Sequence, residues 1–272
     1  MSWRVVARED VYDAVRSKTT WLAVALFPIA FLGYVVAHDY VGEPNFPAFV
    51  AGLAGVVGVV LPAVAILLSY KSIADDRTSG RLTLTLSLPH SRRDLAIGTV
   101  VGRAVVVLVP ALLALAVAGV VGAVRFGTDG VLWVPSFLLA SALFGAAFVG
   151  FAVGLSMSTT ADRWITLGGL GGYLLLVTFW GGLQSATLLV LHRFDFQVLR
   201  DIPDWALLFR LLEPGESYAR LVRAGFDVDL AGLYVVEGAP LYVSAPAALV
   251  LLVAWALVPL VVGYRRFRAS DL

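Results

Sequence analysis

The sequence predicts an all-α integral membrane protein: six transmembrane helices, an N-terminal amphipathic helix, a long inner loop and an outer re-entrant or interfacial helical loop. Three observations carry this. Of the 272 residues, 60% are hydrophobic, and the mean hydropathy is +0.88. Only 14% are charged, against roughly 25% in an average globular domain, too few to cover a soluble surface. The apolar residues also gather into six stretches, at 20–37, 46–70, 104–124, 131–156, 164–191 and 243–264. Each is close to or above the roughly 20 residues that cross a bilayer as a helix. None alternates polar and apolar as barrel strands do.

The elements follow in order. Before the first span, Trp3, Val6, Val11 and Val15 fall roughly on one helical face with Arg4, Arg8 and Arg16 nearby. That pattern suits a helix lying on the membrane surface, although a plain charged flank fits the residues as well. The first span follows a charged 19-residue segment and no cleavage pattern comes after it, so it reads as retained rather than as a signal peptide. Pro28, Pro62 and Pro110 lie near the centres of the first three spans and predict kinks. In the fourth, Ala142, Ala146, Gly150 and Gly154 recur every four residues. This small-residue face suits close helix packing, within one subunit in preference to a homodimer seam. The fifth span opens on Gly168, Gly169, Gly171 and Gly172. Between it and the last span, Trp205, Leu208, Phe209 and Leu212 sit at helical spacing, as do Tyr218, Leu221 and Val222 after a Pro214-Gly215 break. Two short amphipathic helices at the outer interface are expected there.

Orientation follows from the basic residues. Segments 1–19, 71–103, 157–163 and the tail hold 14 of the 20 Lys and Arg, and the opposite flanks hold 6. Basic residues concentrate on the cytoplasmic side, so both termini are expected in the cytoplasm of a multi-pass protein of the cell membrane.

What the spans lack narrows the function. None of the six contains Asp, Glu, Lys, Arg or His. Ionisable groups inside a bilayer mark ion paths and proton relays, so a proton- or sodium-coupled transporter is disfavoured. Intramembrane aspartyl or metalloproteases need paired carboxylates or a zinc helix, and a rhomboid-type enzyme needs a nucleophile motif with a His in another span. The chain has no cysteine, which removes disulfides and thiolate chemistry. His38 and His192, at outer span ends, lack a third ligand close in sequence and read as interfacial rather than as a metal site; His90 reads as a surface residue. Asp195, Asp201 and Asp204 read as a solvated acidic face. Neither Lys18 nor Lys71 follows a glycine, so no phosphate-binding loop is present. No catalytic residue, cofactor or metal is expected, and no nucleic-acid partner.

The connection 71–103 reads KSIADDRTSGRLTLTLSLPHSRRDLAIGTVVGR. The cluster Asp75, Asp76 and Arg77 precedes Gly80, and a leucine-rich run through Leu84 and Leu88 ends in Pro89, followed by Ser91 and Arg92, with Gly98 beyond. Leucines in an interfacial loop bury little lipid-facing area, which points to docking on another protein. This stretch resembles the first cytoplasmic loop of type 2 ABC exporter permeases, in particular those serving nitrous oxide reductase maturation and their archaeal relatives. Where that family often has Lys after the last glycine, this chain has Thr99, with Arg103 one turn later. The overall layout of amphipathic N-terminus, six spans and long outer loop agrees. The resemblance implies a coupling helix seated in a groove of a separate cytoplasmic ATPase, contacted through Asp75, Asp76, Arg77, Gly80, Leu84, Leu88, Pro89 and Arg92. It further implies an outer loop that dips back to cap the exit path, and assembly with a second permease copy or a sister permease in membrane lipid. The alternation of leucine with Thr83, Thr85 and Ser87 reads locally as a strand, but a lone strand in a loop has no partner, so helix is preferred. The function expected is thus the single-domain permease subunit of an ATP-driven exporter. The alternative is a multi-span anchor or an intramembrane enzyme with no transport role.

Overall fold

The computed structural model describes residues 3–41, 43–78, 91–200, 202–226 and 240–269. Among these there is no strand. The helices are α1 (Trp3–Arg16), α2 (Lys18–Val41), α3 (Phe46–Ser69), the single turn α4 (Ala74–Thr78), α5 (Arg92–Phe126) and α6 (Val134–Ser158). They continue with α7 (Asp162–Tyr173), a π-helical segment Leu174–Phe179, α8 (Trp180–Leu191), α9 (Asp204–Leu211), α10 (Pro214–Phe226) and α11 (Ala245–Ala269). Among the described residues, six helical stretches are long and apolar enough to cross a membrane, the fifth being α7 and α8 joined through the π segment.

Caps set several boundaries. Asn45 accepts from the Ala48 N–H at 2.8 Å and starts α3. Ser91 and Asp94 form a reciprocal capping box at the start of α5, and Gly127, at φ 98°, lets the chain leave that helix. The α5 helix runs 35 residues, about 50 Å at 1.5 Å per residue, and so outreaches a hydrocarbon core of about 30 Å. Its apolar stretch begins only at Ala104; the first three turns are a polar extension that the composition of the span did not reveal.

Close packing uses glycine. The α6 and α11 helices touch backbone to backbone: a Cβ on Gly150 would collide with the Ala256 carbonyl, one on Gly154 with that of Pro259, and one on Gly263 with the backbone of Gly154. The small-residue face expected in the fourth span therefore packs within the chain. At the far end of the molecule, α10 turns inward against α3, α6 and α11. Tyr218 is buried, stacks on Phe144 with centroids 4.6 Å apart, and meets the Ser141 hydroxyl at 3.0 Å. Of the two outer helices, only α9 presents an apolar outward face, with Trp205, Leu208 and Leu212 exposed. His38 is also inside rather than interfacial, at 2% exposure among Phe49 and Phe126. Its Nε2 donates to the Glu43 carbonyl at 2.9 Å and its Nδ1 faces the Tyr34 hydroxyl at 3.2 Å. Both ring nitrogens are thereby engaged, which argues against a ligand role.

The N-terminal helix is docked rather than merely resting on a surface. Its buried residues are Val6, Ala7 and Ala14, while Val15, expected on the same face, is exposed. The partner is the polar extension of α5. Gly98 and Gly102 make the approach possible: a Cβ on Gly98 would lie 2.8 Å from the Trp3 carbonyl oxygen, and one on Gly102 would collide with Asp10.

Candidate functional site

The leucine-rich loop leaves α3 and returns into α5, and both ends are fastened to other elements. At the outgoing end, Ile73 and Ala74 are buried. Their backbone N–H groups donate to the hydroxyl of Ser156 on α6, at 2.9 and 3.0 Å. These are unsatisfied donors at the start of the α4 turn, and a side chain 82 and 83 residues away supplies the acceptor. Lys71 pairs with Asp162 at the start of α7. Asp75, Asp76 and Arg77 lie on α4 itself.

The returning end is held by the tail. Arg92 donates through Nη1 to the carbonyls of Phe267 and Arg268, both at 2.9 Å. Those carbonyls sit at the C-terminus of α11, where helical acceptors lack partners and a cation is favoured. The guanidiniums of Arg92 and Arg77 each lie over the fully buried ring of Phe267, at 5.7 and 5.6 Å from its centroid. Arg77 and Arg92, expected as contacts to a partner, thus turn toward the chain's own tail and draw the two loop ends together on one aromatic residue.

A third fastening runs through Arg103. Its Nη1 donates to the carbonyl of Leu68 near the end of α3, at 2.9 Å, and its Nη2 pairs with Asp10 of α1 at 2.8 Å. Arg103 therefore joins α1, α3 and α5 close to where the chain leaves α3. Burial pushes the Asp10 carboxyl up to about 6 despite the attraction of Arg103.

Of the residues expected to couple, Asp75, Asp76, Arg77 and Arg92 are gathered at this base. Gly80, Leu84, Leu88 and Pro89 lie outside the described residues, and so does His90. Three residues that organise the base, Ser156, Phe267 and Asp10, carry no signal in the loop motif. A serine closing an apolar span and an acid within an amphipathic helix were visible, but their partners were not.

A second feature lies at the other end of the spans. A groove of about 890 Å³ is lined by Ala48, Gly52, Gly55 and Gly58 of α3, Val177 of the π segment, and Glu213, Glu216 and Tyr218 at α10. Glu213 caps α10, accepting from the N–H groups of Gly215 and Glu216 at 2.6 Å each. Desolvation outweighs those bonds and raises its carboxyl to about 8. Glu216 is also raised by burial, and Arg210 donates to it at 2.6 Å.

Comparison with known proteins agrees with this architecture. The model of the ABC-2 family transporter proteins matches residues 4–272. The chain is similar to the probable ABC transporter permease protein NosY of Stutzerimonas stutzeri, 30% identical over 277 residues, covering 97% of this chain and 96% of the relative. It is 28% identical over 276 residues to the protein of the same description from Pseudomonas aeruginosa, with the same coverage of both chains. A match along nearly the whole length, on a chain of six apolar helices, makes this protein a multi-pass membrane permease of the ABC-2 transporter family.

Proposed function

We propose that this chain is the permease subunit of an exporter driven by a separate cytoplasmic ATPase, which docks on the 74–94 segment through Leu84 and Leu88. Both termini then lie in the cytoplasm, as the 14 to 6 distribution of basic residues favours. The observation that carries the reading is the way the two loop ends are built into the bundle. Ser156 fastens the outgoing end to α6, and Phe267 gathers Arg77 and Arg92 onto α11. A displacement applied to the loop therefore reaches two spans that are themselves in backbone contact. Asp75 and Asp76 lie on the turn that opens the element, and Arg77 and Arg92 hold its base rather than its rim. With no nucleotide-binding motif in the chain, ATP hydrolysis belongs to the partner.

A second permease, either another copy or a sister chain, completes the assembly within the lipid. The groove at Gly55 and Gly58 supports a path toward the outer side, since nothing lies within 4 Å of a Cβ built at either glycine. The reading is tested by extracting the tagged protein in mild detergent and assaying ATP hydrolysis. Isolated permease should hydrolyse none, and activity should appear with a co-purifying ATPase. Stoichiometric nucleotide binding by the isolated chain would overturn it.

A further inference from the structure

The end of the molecule that carries both termini holds a second groove, of about 440 Å³, between α5 and α11. The two helices run antiparallel there, and each contributes a stripe along one face. On α5 the stripe is Arg93, Ile97 and Val101; on α11 it is Val261, Arg265 and Arg268. These are i, i+4 and i+7 or i+8 spacings, which align on one side of a helix. Because α5 begins where α11 ends, the three arginines meet at the same end of the groove. Apart from Tyr264, the side chains lining the groove below them, toward the bilayer centre, are apolar.

The arginines are exposed, and among the described residues no acidic side chain pairs with Arg93, Arg265 or Arg268. The acid adjacent to Arg93, Asp94, is occupied by the hydroxyl of Ser91 at 2.6 Å. From Arg93 to Val101 the groove runs about 12 Å at 1.5 Å per residue, within the depth of one leaflet of a core about 30 Å thick. Unpaired guanidiniums above an apolar slot, at leaflet depth, complement one kind of molecule: a negatively charged headgroup joined to an acyl chain.

We propose that the α5–α11 groove is a binding site for one anionic phospholipid. Its phosphate is held by Arg93, Arg265 and Arg268, and an acyl chain lies along Ile97, Val101 and Val261. A lipid seated there bridges the first turns of α5 to the last turns of α11, beside the Arg92–Phe267 contact that closes the base of the loop. The site depends on the membrane setting of these helices and not on how the loop engages an ATPase, so each reading can fail alone.

Native mass spectrometry of the delipidated full chain in detergent tests this, with dioleoylphosphatidylglycerol and dioleoylphosphatidylcholine as probes. The wild type should bind phosphatidylglycerol about tenfold more tightly or better. Arg265→Gln should weaken that preference, and the triple variant Arg93→Gln, Arg265→Gln, Arg268→Gln should remove it. Val261→Trp, which fills the slot and leaves the charge unchanged, should also reduce phosphatidylglycerol binding. Arg266→Gln is the control: the residue is on the same helix and exposed but does not line the groove, and its loss should change nothing. Four results would each overturn the site: no preference in the wild type, equal loss with Arg266→Gln, full binding by Val261→Trp, or displacement of the lipid by millimolar inorganic phosphate alone. The first and third mean no seated lipid, the second a diffuse basic surface and the last a free-anion site. Arg265→Gln and Val261→Trp each stand alone if the triple variant does not fold.

Discussion

Asp10 and Arg103 face each other across the α1–α5 contact at 2.8 Å, with the second carboxylate oxygen of Asp10 and Nε of Arg103 buried and lacking hydrogen-bond partners. The pair joins the N-terminal helix to the span that receives the loop. Its desolvation is only partly offset by the pairing, which is why the Asp10 carboxyl stands near 6 rather than near 4.

The sign of the pH dependence follows. A carboxyl whose value is raised by folding binds its proton more tightly in the native state, so its contribution is fullest below the unfolded value and declines as pH rises through about 6. Wild-type thermal stability should therefore fall between about pH 4 and 6, with up to about 3 kcal/mol from this group. Asp10→Asn should remove that component of the slope. Arg103→Gln, which leaves a buried carboxylate without its cation, should destabilise most at pH 8. Melting curves of the purified variants at about pH 4, 5, 6 and 8 check this; identical slopes in wild type and Asp10→Asn would contradict it.

Ser156→Ala should leave two buried donors, the N–H groups of Ile73 and Ala74, without an acceptor. Such a loss costs about 1–3 kcal/mol, and it falls on a local element rather than on the whole bundle. Amide hydrogen exchange at 72–78 is expected to quicken by about tenfold or more, while the spans exchange as in the wild type. Unchanged protection at 72–78 would mean that the hydroxyl does not hold the loop end.

Most of the architecture was legible because lipid imposes a coarse, strong signal: a run of apolar residues long enough to span has few alternatives. The small-residue face at Gly150 and Gly154 was legible for a related reason, since small side chains at helical spacing are what close packing requires. The base of the loop was less so. Phe267 reads as one more aromatic in a basic tail, and only the fold brings it between Arg77 and Arg92. Val15 shares the expected apolar face of α1 yet is exposed, because the helix turns Asp10 toward α5, where Arg103 compensates it. Tyr218, expected with Leu221 and Val222 on an outer amphipathic helix, instead turns into the interior, where the Ser141 hydroxyl provides its partner.

Topology can be read in a chain without native cysteine. Ser217 is an unsuitable outer reporter, being fully buried and bonded to the Leu211 carbonyl at 2.6 Å; Asp204, exposed at the start of α9, is the better position. Single cysteines at Ser2 and Ser270 should resist an impermeant maleimide in intact cells, and one at Asp204 should react. The reverse pattern would invert the orientation.

Docking on the loop is tested most directly by recovery of the ATPase with a permease altered there. On the proposed docking, Leu88→Asp would place a charge in an apolar, desolvated contact, a change that costs on the order of several kcal/mol at such positions. The variant is expected to insert and melt like the wild type but to lose both the co-purified ATPase and its hydrolysis, whereas Leu208→Asp, on the exposed face of α9, retains them. Normal recovery of the ATPase with Leu88→Asp would contradict docking on this loop.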